Sequence, residues 1–379
     1  MIVRHFLRWV RTAPPGERAD ATAALARAYL YSDLSPDDRA AAEGAMLLLL
    51  DDTAPLVRRA LAEALAASED APAGIVYALA ADQPDIASIV LRRSPLLLDA
   101  DLVDWVGGGS SAVQAAIAGR DGLPCSVAAA IAEVGSAEAC LVLLENPTVA
   151  ILPFSFDRLA ERYGHLAAIR EAMFARDDLP IATRQTLVNL LSETLAGFIS
   201  ARAWLDADRA RRVTREARDK ATVALAAEAP HPEVGPLVTH LRRTGQLTAG
   251  LILRALFSGN LLMFEEALCE LSQLPPARVA QLIHDRSGKG LRALFARAGL
   301  PSSTVPAARA ALSVMDEHGF AGEFGGAGRL KRRMVERALT CCESAQDENA
   351  GALLVLLRRF ALEAAREEAR HFCDELAAA

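Results

Sequence analysis

Four arginines, Arg58, Arg59, Arg92 and Arg93, stand as two adjacent pairs at the ends of apolar helical stripes. A guanidinium is planar, always charged and forked, so it matches a carboxylate. In these places the four are expected to hold carboxylates of a protein partner, or else to solvate the helix faces and pair with neighbouring repeats. A second set, Lys289, Arg292 and Arg297, falls on a helix–turn–helix outline over 278–298, whose second helix would enter a DNA major groove. Leu282, Ile283, Leu291, Leu294 and Phe295 explain the same outline as ordinary helix packing. Gly288 and Gly290 also weaken the start of a recognition helix. The stretch 202–220, with seven basic and four acidic residues, is the other place where an acidic partner or DNA would sit.

Other chemistries lack their residues. The seven histidines fall in different elements with no His-x-x-x-His pair. His371 and Cys373 are two apart and cannot share a helical face. The six cysteines have no zinc-binding spacing and are expected to be buried, reduced thiols of a cytoplasmic protein. No Gly-x-Ser-x-Gly elbow is present. The Gly-rich stretch 319–328 runs into Arg329, Lys331, Arg332 and Arg333 without the order of a phosphate-binding loop. No catalytic residue, metal or cofactor is therefore expected. The residues point first to a non-catalytic interaction scaffold or regulatory adaptor with a protein partner. A DNA-binding regulator is the alternative, and an enzyme with an unrecognised site is a second one.

The elements that would position these residues are helices. Of 379 residues, 52% are hydrophobic but only 5% aromatic, and alanine and leucine dominate. Small, unbranched apolar residues suit closely packed helices and are poor strand formers. The class is all-α. With 41 Lys and Arg against 48 Asp and Glu, the net charge of −7 gives no general reason to expect nucleic acid as partner. No apolar run reaches the length of a bilayer span. Met1–Arg11 mixes apolar residues with Arg4, Arg8 and Arg11, and reads as a short helix capping the first repeat.

Val57, Ile86, Val113 and Cys140 each begin an apolar stripe, at separations of 29, 27 and 27 residues. Turn residues fall between them at Pro72, Pro84, Pro95, Gly107-Gly108-Gly109, Pro124 and Pro147. Two short helices per copy at such a period predict an α-solenoid over 1–176. Longer helices follow over 177–229. Ser200–Glu228 reads as one helix of about 44 Å, with Trp204, Ala207, Ala210, Val213, Ala217, Ala221 and Leu225 as its packing stripe. Asp208/Arg212, Arg212/Glu216, Arg215/Asp219 and Glu216/Lys220 stand at i, i+4 along it.

Ala229–Pro236 contains three prolines and is the expected domain boundary. A compact helical block over 230–318 follows, with Thr248 and Asn260 as helix caps and Gly259 as a helix stop. A linker at 319–328 leads to amphipathic helices over 329–379. The last of these, Glu348–Ala378, would carry Leu354, Leu357, Ala361, Ala365, Phe372 and Leu376 on one side, a stripe of about 45 Å. Left in water it would be unfavourable, so it must lie on its own core or on a second copy, and a homodimer through 348–378 is the expectation set against docking within the chain.

The copy Asp52–Leu65 is similar to a short HEAT-type repeat, in which a turn aspartate and a second-helix arginine pair between neighbours. Asp52 and Arg58 fit those places, and later copies do not keep the arginine. With Leu34–Arg39, Ala80–Pro84, Leu91–Pro95, Thr244–Thr248, Leu253–Phe257 and Ala298–Pro301, the chain resembles the bacterial domain-of-unknown-function 2336 family. The resemblance covers most of Leu34–Met315. It implies a helical fold and carries over no catalytic residue.

Overall fold

The computed structural model describes residues 8–10, 12–202, 205–285, 287–318, 326–344 and 351–378, all helix, turn or loop. Side chains of the last helix are described as far as Arg370 and at Cys373. The chain forms two compact units, Met1–Thr183 and Arg184–Ala379. No described helix is long and apolar enough to cross a membrane.

The first unit is a stack of short helices in two rows. In chain order come α1 (Pro15–Tyr31), α2 (Pro36–Leu49), α3 (Pro55–Leu65) and α4 (Ala73–Ala80). They are followed by α5 (Pro84–Arg93), α6 (Asp99–Gly108), α7 (Ser111–Ala118) and α8 (Cys125–Val134). The unit ends with α9 (Ala137–Glu145), α10 (Pro153–Tyr163) and α11 (Ala167–Phe174). One row runs α1–α3–α5–α7–α9–α11, each packed on the next, and α6–α8–α10 form part of the other. Proline opens α1, α2, α3, α5 and α10, where its missing N–H is no loss. Val57, Leu61 and Leu65 of α3, Ile86 and Val90 of α5, and Cys140 of α9 are buried as their spacing predicts. Of the expected turn Gly107-Gly108-Gly109, the first two glycines belong to α6.

Successive helix pairs are tied by side chains that reach 24–34 residues along the chain, forward in the first two ties and back in the later ones. Arg18 donates to both oxygens of Asp52 at 2.9 and 2.8 Å, and Arg58 donates to both oxygens of Asp82 at 2.6 and 3.0 Å. Asp52 therefore serves the preceding arginine, whereas Arg58 serves the following aspartate. Further along, the acceptor changes from carboxylate to backbone. Asn146 Nδ2 donates to Ala118 O and Arg120 O at 2.9 and 2.7 Å, and Arg162 to Ala132 O and Gly135 O at 2.7 and 2.8 Å. Arg120 and Arg176 act alike on Ser94 O and Val149 O, each at 2.7 Å. The last carbonyls of a helix have no partner of their own, so these donors join neighbouring helix pairs and close helix ends together.

The second unit begins within α12 (Ile181–Ala201) and continues through α13 (Ala207–Glu228) and α14 (His231–Arg243). Next come α15 (Ala249–Phe257), α16 (Leu261–Ser272), α17 (Pro276–Ile283) and α18 (Lys289–Arg297). A 3₁₀ turn, Ser302–Thr304, precedes α19 (Val305–His318), α20 (Gly326–Ser344) and α21 (Gly351–Ala378). α15 is the centre, packed on α13, α16, α19, α20 and α21, with every residue from Leu251 to Phe257 buried. A helix apolar on all sides requires neighbours on all sides.

Several expectations change here. The helix expected over Ser200–Glu228 is two helices, because Asp206 accepts from the Arg209 N–H at 2.9 Å and caps a new start. Its buried face is Ala210, Thr222, Val223 and Ala226, while Val213, Ala217 and Ala221 are exposed and Trp204 lies outside the described residues. In so alanine-rich a helix the apolar contrast between faces is weak, and packing on α15 decides. Its ion pairs are Asp208–Arg211 and Arg218–Asp219 along the helix, with Lys220–Glu367 and Glu216–Arg359 reaching α21. Ala229–Pro236 is a brief break, with Pro232 in the first turn of α14 and Pro236 inside it. Thr248 and Asn260 do cap, accepting from Leu251 N at 3.2 Å and Met263 N at 3.0 Å.

In α21 the buried positions are Leu353, Leu357, Phe360 and Ala364. The covered face is rotated about one residue from the expected stripe, so Leu354 and Ala361 are only half-buried and Ala365 is exposed. The side chains of Phe372 and Leu376, and residues 319–325 of the expected linker, lie outside the described ones, while Gly326 and Gly328 belong to α20. The Met1–Arg11 helix is described only at Arg8–Val10.

Candidate functional site

The alternating helices of the first unit bring residues far apart in sequence onto one groove. α3 supplies Arg59 and Glu63, α5 supplies Ser88, Ile89, Arg92 and Arg93, α7 supplies three alanines, and α9 supplies Glu138 and Val142. The groove holds about 650 Å³. Ala112, Ala115 and Ala116 keep its floor low, and Ile89 and Val142 give it an apolar strip.

Three of the four expected partner-binding arginines line this groove, and the fourth does not. Arg58 points into the fold, bound to Asp82 and to Asp52 O at 2.6 Å. Burial pushes the Asp82 carboxyl up, but the Arg58 bond, the Gln83 N–H and the Arg58 charge outweigh it, leaving it below the usual carboxylate range. Arg59 is exposed and pairs with Glu63 one turn on, at 3.1 Å. Arg92 and Arg93 are exposed, and among the described residues neither has a hydrogen bond or ion pair. Arg92 lies against Gly119, just past the end of α7, and both arginines sit in the last turn of α5. Cations at helix C-termini are favoured by the helix dipole, which gives the pair a structural role as well. Glu138 accepts from Ser111 Oγ at 2.9 Å. The groove thus balances three cations against two carboxylates.

The DNA-binding set is placed differently. Lys289 and Arg292 are exposed on α18, but Arg297 Nε donates to Ser272 O at 2.8 Å. Leu291, Leu294 and Phe295 are buried, and Asp285 accepts from the Gly290 N–H at 2.8 Å, closing the start of α18. The Ser287 hydroxyl, then the Gly290 and Ser287 N–H groups, hold the Asp285 carboxyl below its usual range. The outline over 278–298 is accounted for by packing and capping. In α13, Arg211, Arg218 and Lys220 each face a carboxylate. Of the basic run after the glycines, Lys331 and Arg332 likewise meet Glu367 and Glu368.

The family profile described as "Uncharacterised protein conserved in bacteria", domain of unknown function 2336, matches residues 86–346, well over half of the chain. The chain belongs to this family. In this member of the 2336 family the match runs from the start of α5 through α20. It includes Arg92 and Arg93 but not α3, so Leu34–Pro84 lies outside it. No curated protein and no solved structure matches the chain.

Cys125, Cys341 and Cys373 are exposed, contrary to the expectation that all six are buried. Cys140 is buried, and desolvation raises its thiol to about 11, against the pull of Arg162. Among the described residues, no three His, Cys, Asp or Glu side chains gather as metal ligands would. The charged residue missed from sequence is Arg254, 6% exposed at the centre of α15. Its signal was present as one cation inside Leu251–Phe257, an otherwise apolar helix where a charge requires a partner.

Proposed function

We propose that the protein is a non-catalytic interaction scaffold or adaptor, working in the cytoplasm, whose first unit takes an acidic segment of a protein partner in the α3–α5–α7–α9 groove. The observation that carries this reading is the pair Arg92 and Arg93, exposed and, among the described residues, without ion pairs, beside the apolar strip of Ile89 and Val142. Planar donors next to apolar side chains suit a carboxylate flanked by a small apolar residue. Arg59 adds to the surface once it leaves Glu63, and Arg58 supports it from within the repeat stack.

Charge reversal tests the reading. R92E/R93E is expected to lose partners that the natural chain captures from native lysate, while the melting temperature falls by only a few degrees. A capture pattern identical to the natural chain's would remove the groove from consideration. The drop in melting temperature separately measures the role of the pair at the end of α5.

A homodimer through 348–378 belongs to the same proposal only as an exchange of α21 between copies. Leu353, Leu357, Phe360 and Ala364 are already covered within the chain's own unit, so a dimer gains little further burial from them. Light scattering at micromolar concentration is expected to give a monomer, and a stable dimer would indicate exchange.

A further inference from the structure

The second unit contains a cleft of about 510 Å³ whose lining combines alanines and aromatic rings with five charged side chains. Lys220, Ala224 and Ala227 lie along one face of α13 at i, i+4 and i+7. The alanines are too short to fill the space toward Phe257 and Phe360, whose rings pack at 5.8 Å. The volume falls in the range of small-molecule sites, about 300–1,000 Å³.

Two ion-pair groups border this space. Arg254 donates to Glu363 at 2.7 and 3.4 Å, with its guanidinium 4.6 Å from the ring centre of Phe360. One turn along α21, Glu367 Oε1 meets Lys220 Nζ at 2.5 Å and Oε2 meets Lys331 Nζ at 3.6 Å. Three cations thus face two carboxylates. The turn Ser258-Gly259-Asn260, with Gly259 at φ +80°, brings the start of α16 to the same cleft. The positive end of that helix dipole adds to the preference for negative charge.

We propose that this cleft binds a small amphipathic carboxylate, its apolar body against Phe257, Phe360 and the α13 alanines, its carboxylate held by Lys220 and Lys331 in place of Glu367. Glu367 shows that the lysine pair accepts a carboxylate in this geometry. Burial raises the Glu367 carboxyl, but the two lysines outweigh it and keep it ionised at neutral pH. Its side chain is about one-third exposed, so it can swing into solvent when a competitor arrives. A ligand forms the same ion pairs and also buries an apolar body, which Glu367 does not. Arg254 keeps Glu363 throughout, so that side of the cleft stays neutral and the two lysines are the cations left for the ligand. The inference concerns the second unit alone and is independent of the groove in the first.

Calorimetric titration of the full chain with octanoate, 1-octanol and acetate tests this. Octanoate is expected to bind one to one, octanol at least tenfold more weakly, and acetate without detectable heat. Glu367→Gln removes the internal competitor and should tighten octanoate about tenfold, because the lysine pair no longer has to be released from a carboxylate of its own. Lys331→Met should weaken it about as much. Ala224→Leu, at an exposed wall position, should abolish binding by filling the cleft without changing charge. Thermal melts confirm that each variant is folded. No octanoate binding at millimolar concentration, equal affinity for octanol, or unchanged affinity in E367Q would overturn the proposal.

Discussion

Replacing Arg58 by methionine is expected to destabilise the first unit by about 3 kcal/mol, the cost of breaking a largely buried pair and leaving one charge behind. The side chains of Arg58 and Asp82 are only 16% and 14% exposed. Methionine keeps the aliphatic stem but gives up two bonds to Asp82 and one to Asp52 O. Among the described residues, Asp82 would then retain only the Gln83 N–H at 2.7 Å. Asp82→Asn should cost about half as much, because Arg58 keeps Asp52 O. The double variant should lose less than the sum, by at least about 1 kcal/mol, since the partners act as one contact. Urea unfolding in a Trp204→Phe background isolates the first unit, whose remaining tryptophans are Trp9 and Trp105. Strict additivity would mean that the two residues do not couple the helices they join.

The pair also sets a pH dependence. Asp82 titrates below its ordinary value in the folded chain. Its stabilisation is complete above the unfolded carboxylate pKa, about 4, and is lost as pH falls through the lower folded value. Arg58 is shifted upward, chiefly by its bond to Asp82 against the cost of burial, so its contribution persists through the neutral range. The natural chain should therefore melt progressively lower on acidification below about pH 4. R58M should show a flatter acid limb.

The α-helical class and the stacked pairs were legible because Val57, Ile86, Val113 and Cys140 combine a repeat spacing with helical stripes. Of the ties between helix pairs only Asp52 and Arg58 stand out in the sequence, and not their partners Arg18 and Asp82. Once Arg120, Asn146, Arg162 and Arg176 turn to backbone carbonyls, the partner leaves no mark in the sequence, and a search for carboxylates alone misses the rest of the ladder. Helix faces in α13 and α21 were misplaced for a related reason. Alanines and leucines occupy adjacent positions there, so a rotation of one residue changes the apolar count little while packing on α15 depends on it. The break before α13 did carry a signal in Asp206, but strong helix formers on both sides obscured it. The arginine groove was legible as three positions in two helices, and Arg58, one residue away, turns inward through a contact that only the stack creates.

Two glycines at the end of α6, Gly107 inside the helix and Gly109 just past it, should respond to alanine with opposite signs. Gly107 lies inside the helix, and an added Cβ there meets nothing within 4 Å. Gly107→Ala should stabilise the first unit by about 0.5–1 kcal/mol, the ordinary gain of a helix interior. Gly109, two residues on, has φ −83°, a conformation open to any residue, so freedom is not the reason for glycine there. Space is: a Cβ would lie 2.4 Å from Trp105 O and 2.7 Å from a Val113 methyl. Gly135 repeats the arrangement, its Cβ falling 2.5 Å from Ile131 O. Each glycine is followed at once by a serine cap, Ser110 accepting from Val113 N and Ser136 from Ala139 N. The second turn is pinned further, because Gly135 O accepts from Arg162 at 2.8 Å and Tyr163 Oη at 3.0 Å. With backbone on one side and, at Gly135, bonds from α10 on the other, the chain cannot yield locally. Gly109→Ala should cost about 2 kcal/mol and Gly135→Ala about 3 kcal/mol, as overpacking does when relief is blocked. Urea midpoints for the three variants decide the matter: neutral values at both Gly109 and Gly135 would show that the turns adjust freely and that the stack is looser than its geometry.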